Sequence, residues 1–288
     1  MKPINTLSFK DKINAYIKHP TSGLLALAVM ICAIATFAVL IFLIAYILIN
    51  GVPYLTPSLF ALEYTTENVS MLPSIINTVI MTLVALVISV PLGIFTAIYL
   101  VEYAKKGNKL ISIIGMTAET LSGIPSIVYG LFGMLFFVTT LKWGVSILAG
   151  AFTMSIMILP LIMRTTQEAL LSVSDSYREA SFGLGAGKLR TIFTIVLPAA
   201  IPGVLAGIIL AIGRIVGETA ALIYTAGSVA EIPRNLMSSG RTLAVHMYAL
   251  SSEGLYTNQA YATAVVLLVL VLLINTLSAS SANKLTKT

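Results

Sequence analysis

The stretch Ile208–Ala226 reads IILAIGRIVGETAALIYTA and places Arg214 and Glu218 inside an apolar run. On one continuous helix, residues four apart lie one turn above each other, so the two charges are predicted to share a face and to pair. An arginine at the centre of a bilayer costs about 2.5–3.5 kcal/mol on insertion scales. We therefore interpret the pair as facing a polar pathway for an anion. A structural ion pair that joins this helix to a neighbour is the alternative.

The composition is that of an integral membrane protein. Of the 288 residues, 58% are hydrophobic and 10% are charged, with a mean hydropathy of +0.98, whereas a soluble domain carries about 25% charged residues. The net charge of +6 comes mostly from basic residues at the ends of apolar segments. Such residues set orientation in the membrane and do not indicate nucleic-acid binding. The one cysteine, Cys32, excludes an internal disulfide and forms no metal site alone.

Apolar segments of sufficient length predict an all-α, polytopic membrane protein with six transmembrane helices. The segments are 24–49, 74–101, 111–140, 146–163, 191–224 and 260–277. Pro125 interrupts the third segment, so a break is expected there. The GxxxG pairs Gly203/Gly207 and Gly213/Gly217 are typical of helices whose backbones approach a neighbour closely. A short helix is also expected within 232–250, in the loop before the last span.

Lysine and arginine lie mainly in the segments that precede the first, third and fifth predicted helices and in the tail. The loop after the first helix holds no basic residue, and the loop after the third holds only Lys142. Because basic residues favour the cytoplasmic side, this bias predicts that both termini are cytoplasmic.

The loop between the fourth and fifth predicted spans contains SYREASFGLGAGK, Ser176–Lys188. Ser176 and Glu179 have the spacing of a capping box, which predicts a helix that begins near Ser176. The glycines from Gly183 onward end it. A short amphipathic helix between two spans is suited to docking in the groove of a partner. An ordinary connecting loop is the alternative.

This loop resembles the EAA loop of ABC importer permeases, with Ser181 where the family usually has Ala. In that family a short coupling helix sits in a cleft of the ATPase subunit. The resemblance implies that ATPase coupling is carried by Glu179, Ala180, Ser181, Gly185, Leu197 and Pro198. It also implies the six-helix, MetI-like fold of type I importer permeases. The permease core would be residues 72–278, preceded by a cytoplasmic amino terminus, first helix and outer loop (1–71) and followed by a cytoplasmic tail (279–288).

Two more strings resemble the PstA family of phosphate permease subunits. They are LSGIPSIVYG, Leu121–Gly130, and GRIVGETA, Gly213–Ala220; Ala221 stands where that family often has Pro. The resemblance implies a subunit of an ATP-driven phosphate importer in the cell membrane. The partners that it implies are a homologous permease subunit, PstC, two copies of the ATPase PstB, which bind ATP and Mg, and the external phosphate-binding protein PstS.

Phosphate transport requires fixed positive charge along the pathway, and a guanidinium fits an oxyanion bidentately. Arg214 meets this need, with Glu218 holding the guanidinium and weakening its grip on the anion. Arg164 is a second candidate, or else an interfacial anchor. Thr219 has a hydroxyl that can donate to an anion, although threonines commonly bond their own helix backbone. Glu119 is interpreted as a substrate contact or as a polar residue that joins helices.

The chain itself is predicted to be a transport subunit without enzyme activity or a bound cofactor or metal. Its glycine-rich string 183–188 lacks the Gly at Phe182 and the Ser or Thr at Leu189 that a phosphate-binding P-loop needs. ATP should therefore bind to a separate polypeptide. Two other functions stay open: an ABC permease for another oxyanion such as sulfate or molybdate, and a stand-alone secondary transporter.

Overall fold

The structure is a computed structural model that describes residues 19–104 and 109–285, and all regular secondary structure in these ranges is helical. The helices are α1 Pro20–Gly51, α2 Leu72–Ile98, α3 Lys109–Ser122, α4 Ser126–Gly133, α5 Ile147–Leu171, α6 Asp175–Gly183, α7 Lys188–Thr191, α8 Leu197–Val216, α9 Ala220–Thr225, α10 Leu243–Glu253 and α11 Thr257–Leu285. The predicted all-α class is confirmed. The predicted orientation depends partly on basic residues that lie outside the described residues. These are the basic residues before residue 19, Lys105 and Lys106, and the basic residue after residue 285.

The chain divides into two compact units, Met1–Asn50 and Gly51–Thr288. In the first unit, α1 exposes apolar side chains on all of its faces, as a helix that contacts lipid does. The second unit begins with two short 3₁₀ turns, Val52–Tyr54 and Pro57–Phe60, and contains the rest of the described chain.

Within residues 19–104 and 109–285, five helical segments are long and apolar enough to cross a membrane. They are Pro20–Tyr54, Leu72–Tyr103, Ile147–Leu171, Lys188–Val216 and Thr257–Leu277. Two further apolar helical pieces, Ile111–Ser122 and Ser126–Thr140, meet at a bend of 101°, the geometry of a broken span or of a re-entrant loop. Counted with this bent pair, the spans reach the predicted six.

The bend has a local chemical cause. On a continuous helix the Leu121 carbonyl would accept a hydrogen bond from residue 125, but Pro125 has no N–H. The Tyr129 hydroxyl donates to this carbonyl at 2.7 Å instead, and the Ile124 amide donates to it at 3.2 Å. The predicted break at Pro125 is confirmed, and it separates the span into two helices that point in different directions.

The core of the second unit surrounds α5, which packs most extensively against α2 and α8. A Cβ atom added at Gly203 would lie 2.5 Å from the Ala169 Cβ, and one at Gly207 would overlap Thr165. These two glycines therefore let α8 touch α5 closely, as predicted. At Gly213 and Gly217, by contrast, an added Cβ would meet no atom of a neighbouring described helix within 4 Å.

The predicted fifth span, 191–224, is not one helix. It ends at Val216, Gly217 is its C-terminal cap, and α9 begins three residues later at Ala220. Thr219, just before α9, has φ −122° and ψ −57°, outside the helical region. Glycine is common where helices end, and here it stops the helix inside an otherwise apolar run. The short helix expected within 232–250 is α10, which begins at Leu243 and extends to Glu253.

We predict that Gly207→Ala destabilises the protein. The new methyl group would overlap Thr165 and force α8 away from α5, at a cost of about 1–3 kcal/mol. Gly213→Ala is the matched control on the same helix: its methyl group meets open space, and alanine favours the helix by about 1 kcal/mol. Thermal unfolding in detergent should show a lower midpoint for Gly207→Ala only. Equal midpoints for the two variants would contradict the close packing described here.

Candidate functional site

The predicted ion pair between Arg214 and Glu218 does not form. Arg214 lies in the last turn of α8, whereas Glu218 lies in the break between α8 and α9. The Glu218 Oε1 accepts a hydrogen bond from the Ala221 amide at 3.2 Å. The pairing was expected on a continuous helix, and the break removes that geometry. The free amides at the start of α9 supply the Glu218 carboxylate with a donor.

Arg214 is half-buried, and no carboxylate of the described chain lies within the 4.0 Å of an ion pair. Its position at the carboxyl end of α8 suits a cation, because the helix dipole is negative there. The positive charge of the Arg214 guanidinium is therefore not neutralised by Glu218, contrary to the prediction. Five N–H groups in a planar fork can donate to an anion that reaches it.

The strings Leu121–Gly130 and Gly213–Ala220 contact each other at their ends. A Cβ added at Gly130, in α4, would lie 3.3 Å from the Ala220 carbonyl oxygen and 2.7 Å from the Cα of the next residue, Ala221, in α9. The half-buried Thr219 directly precedes α9. The Thr225 hydroxyl donates to the Ala221 carbonyl at 2.8 Å and so bonds its own helix. The segment between Arg214 and α9 is thus held against the bent span.

Arg164 lies between two carboxylates. Its Nη1 is 3.6 Å from Glu119 Oε1, on α3, and its Nε is 3.4 Å from Glu168 Oε1, one turn further along α5. All three side chains are more than half exposed. Arg164 and Glu119, which were predicted as separate candidates, therefore come together. Glu168 was not among the predicted site residues, although its i, i+4 spacing from Arg164 signals the contact.

The two arginines lie at different levels of the helix pair α5–α8. Gly203 faces Ala169 and Gly207 faces Thr165, so the two helices are antiparallel. Arg214 is seven residues beyond Gly207, which places it about 10 Å further along the axis at 1.5 Å per residue. Arg164 adjoins Thr165 and stays near the level of Gly207. The five predicted pathway residues consequently form two groups, one around Arg214 and one around Arg164.

The loop after α5 contains the predicted short helix, α6. The helix begins at Asp175, and the predicted capping box of Ser176 and Glu179 is wrong. The N-cap is Ser174 instead, whose hydroxyl accepts a hydrogen bond from the Ser176 amide at 3.4 Å. Glu179 and Ala180 are exposed on α6, and Gly185, with φ +82°, turns the chain after it. Leu197 and Pro198 are the first two residues of α8.

Ser181, by contrast, is buried, and its hydroxyl is 2.8 Å from that of Thr191. The serine therefore links α6 to α7, a contact that the more usual alanine would lack.

An arginine whose side chain is mostly shielded from solvent joins α6 to the membrane helices. Arg178 Nε and Nη2 donate to Glu102 Oε1 at 3.0 and 2.8 Å. Its Nη1 and Nη2 also donate to the carbonyls of Val173 and Leu170 at 2.8 and 2.9 Å, and Nη1 reaches Asp175 Oδ1 at 3.1 Å. The Arg178 and Glu102 side chains are only 13% and 8% exposed. This ion pair links α6 to the helical turn after α2 and to the end of α5.

The Arg178–Glu102 pair was not predicted, because 76 residues separate its members and no local pattern connects them. A second contact supports the same connection: the Lys188 ammonium lies 4.7 Å from the centre of the Tyr103 ring.

The loop that contains α6 exposes large apolar side chains. Leu184 is 90% exposed, and Phe182 and Leu189 are also exposed. A hollow of about 350 Å³ beside them is lined by Ser181, Leu184, Gly185, Ala186, Arg190, Thr194 and Ile195. Large exposed apolar side chains around a hollow are typical of a protein–protein contact.

Residues 89–287 match the family described as binding-protein-dependent transport system inner membrane component. The probable ABC transporter permease protein YqgI of Bacillus subtilis is 34% identical over 245 residues, which are 78% of this chain and 81% of that protein. A phosphate transport system permease protein PstA homolog of Mycoplasma pneumoniae is 35% identical over 226 residues, 75% of this chain and 34% of that protein. The predicted resemblance to PstA-named permeases is confirmed.

Solved structures of ABC permeases share the fold. A chain of a bacterial alginate ABC transporter, crystallised with an alginate-bound periplasmic protein, has a TM-score of 0.69 at 15% identity and covers 95% of this chain and 98% of its own. A chain of the MetNI methionine ABC transporter has a TM-score of 0.58 at 20% identity and covers 75% of this chain and 94% of its own. The predicted MetI-like fold is confirmed.

We predict that Glu102→Ala strongly destabilises the protein, because it leaves the Arg178 guanidinium buried without its counter-ion. Breaking a buried pair in this way costs about 3–5 kcal/mol. Asp175→Asn removes the other carboxylate on the same arginine, but that side chain is 83% exposed, so the expected cost is below about 1 kcal/mol. Thermal unfolding of the two purified variants measures both effects. Comparable losses would show that burial of the Glu102 pair is not what matters.

Proposed function

This chain belongs to the family of binding-protein-dependent transport system inner membrane components, and we propose that it is the permease subunit of an ATP-driven phosphate importer. Its fold is that of an ABC importer permease subunit, a multi-pass membrane component. Phosphate as the substrate is supported by PstA-named relatives from several bacteria. It is also supported by the free guanidinium of Arg214.

Arg214 is the residue on which the proposal chiefly rests. In a bilayer an intramembrane arginine is costly unless it faces a polar cavity or a partner. This one has no carboxylate within ion-pair distance among the described residues. Phosphate that has lost part of its hydration shell would regain hydrogen bonds and charge neutralisation from the planar guanidinium. Glu218 supports the segment indirectly, by capping α9, and Thr219 adjoins it.

The second group has a different proposed role. Arg164 is balanced by Glu119 and Glu168, so the group carries one net negative charge and would repel a resting anion. Three exposed charged side chains cannot face hydrocarbon, which favours a water-filled cavity shared with a second permease subunit. About 10 Å of helix would then separate a site that attracts phosphate from a site that releases it.

The α6 loop is proposed to couple transport to an ATPase. Its exposed Glu179 and apolar Leu184 would contact the partner. Arg178 would pass movement of α6 to the end of α2, through Glu102, and to the end of α5. ATP and Mg would bind in the partner ATPase, and this chain would supply no catalytic residue.

The proposed assembly contains a homologous permease of the PstC type, two ATPase subunits of the PstB type and an external phosphate-binding protein of the PstS type, in the lipid bilayer. In this arrangement α6 and both termini are cytoplasmic, and the segment between α9 and α11 faces outward. The positive-inside distribution of basic residues supports this orientation.

We predict that Arg214→Gln lowers the rate of phosphate uptake by roughly two orders of magnitude, while the complex still assembles. The loss follows from removing the charged donor that offsets dehydration of the anion. Uptake of radiolabelled phosphate by cells that express the complex measures it, with membrane abundance as the check on assembly.

Arg234→Gln is the matched control, because Arg234 is an exposed arginine of the outer segment; its uptake should equal that of the native chain. Wild-type uptake by Arg214→Gln would mean that Arg214 only joins helices. Competition by unlabelled sulfate or molybdate as strong as that by phosphate would assign another oxyanion.

We predict that Glu179→Gln weakens coupling, lowering phosphate-stimulated ATP hydrolysis of the reconstituted complex by roughly tenfold. The carboxylate is exposed on α6 and makes no ion pair within the described part of the chain, so the folded permease should keep its stability. Glu67→Gln, an exposed glutamate of the first loop, is the control and should hydrolyse ATP normally. If phosphate uptake proceeds in liposomes without any ATPase, the chain is a stand-alone transporter instead.

A further inference from the structure

A cluster of buried polar side chains lies between the start of α2 and the start of α10. Its members share an unusual property: each has a buried nitrogen or oxygen atom with no hydrogen-bond partner among the described residues. They are Ser74, Asn77, Arg241 and Thr242. Buried polar atoms are nearly always paired, so a concentration of unpaired atoms at one place indicates a bound water molecule or ion.

Arg241 is the charged member of the cluster. Only 5% of it is exposed, and neither Nε nor Nη2 has a partner in the described chain. Its guanidinium carbon lies 4.6 Å from the centre of the Tyr64 ring, which covers it. A buried charge is strongly unfavourable unless a counter-ion neutralises it. The Tyr64 ring offsets part of the cost of burying the charge. It does not accept hydrogen bonds from the N–H groups, which point outward in the plane of the guanidinium.

No carboxylate in the described part of the chain supplies the counter-ion. Glu63 and Glu231 line an open hollow of about 520 Å³ together with Tyr64. Neither approaches Arg241 within 4.0 Å, and no other carboxylate in residues 19–104 and 109–285 does so. The Asn77 amide is also committed, since its Nδ2 donates to the carbonyls of Glu231 and Arg241 at 3.0 and 3.1 Å.

The neighbouring backbone adds positive potential. Arg241 immediately precedes Thr242, the N-cap of the eleven-residue helix α10, and the Thr242 side chain caps no amide. The Leu243 amide donates to the Thr78 hydroxyl at 2.8 Å, but the other amides of the first turn have no acceptor within the helix. The amino end of a helix carries partial positive charge and favours anions.

His246, in the first turn of α10, adds no charge to the cluster. Burial and, to a smaller extent, the nearby Arg241 guanidinium lower the pKa of His246 to about 3, although a hydrogen bond with the Val69 backbone acts in the opposite direction. The imidazole is therefore neutral near pH 7 and carries one N–H. Its ring packs edge-on against Tyr64, with 6.2 Å between the ring centres.

We propose that Arg241, Thr242 and the amino end of α10 bind a small inorganic anion, separate from the proposed pathway at Arg214. Water would satisfy individual N–H groups, but it would leave the buried charge without a counter-ion. Chloride and phosphate share the required chemistry, since both are anions that accept hydrogen bonds from a guanidinium. The bound anion would fix Arg241 against Tyr64 and thereby hold α10 against the start of α2.

Thermal unfolding of the purified full chain at constant ionic strength tests the proposal. Chloride or phosphate should replace gluconate in two separate titrations, and the anion that binds should raise the midpoint by a few degrees. The exposed-arginine variant Arg234→Gln should respond like the native chain, whereas Arg241→Gln should not respond. A rise with chloride alone assigns a halide, and a rise with phosphate alone assigns an oxyanion. If the native chain responds to neither anion, water occupies the cluster and the proposal is wrong.

A direct observation covers the case in which Arg241→Gln does not fold. Structures of the native chain with bromide and with phosphate should show density beside Arg241 Nε and Nη2, and only for the anion that shifts the midpoint. Weak density that is identical in gluconate would identify water and overturn the proposal. Both measurements are independent of transport, so their failure leaves the proposed importer function untouched.

Discussion

The close contact between α5 and α8 is the constraint on which the other features depend. It exists because Gly203 and Gly207 have no side chains where Ala169 and Thr165 approach. Without a strong hydrophobic driving force between helices in lipid, van der Waals contact over small residues is a main source of helix association. The same contact fixes the level of Arg164 relative to Arg214. Two charged positions are therefore kept apart by a packing feature that contains no charge.

Three polar side chains of this fold form hydrogen bonds that stabilise particular elements. Glu218 caps a short helix, Tyr129 occupies a carbonyl that proline leaves open, and Arg178 gathers a carboxylate and two carbonyls at the end of α5. Arg214 alone among these four has no such internal partner within the described residues. An intramembrane arginine that no carboxylate neutralises is a strong candidate for contact with a solute.

The sequence predicts much of this architecture, because apolar runs of spanning length and the break at Pro125 are local signals. It does not reveal where α8 stops, since Gly217 lies within an apolar run that continues to Tyr224. The expected pairing of Arg214 and Glu218 failed for that reason alone. The Arg178–Glu102 pair and the Arg241 cluster depend on segments brought together by folding, and no spacing rule connects residues that are 76 or more positions apart. Transport through Arg214 and coupling through Glu179 stay predictions.

The bend at Pro125 has an evolutionary consequence. The Tyr129 hydroxyl substitutes for the amide that a non-proline residue at position 125 would offer to Leu121. A relative that lost the proline would regain a straight helix and no longer need the phenol. A relative that kept the proline but carried phenylalanine at the tyrosine position would leave that carbonyl with only the longer hydrogen bond from the amide of residue 124. Proline at position 125 and tyrosine at position 129 should consequently occur together in related proteins.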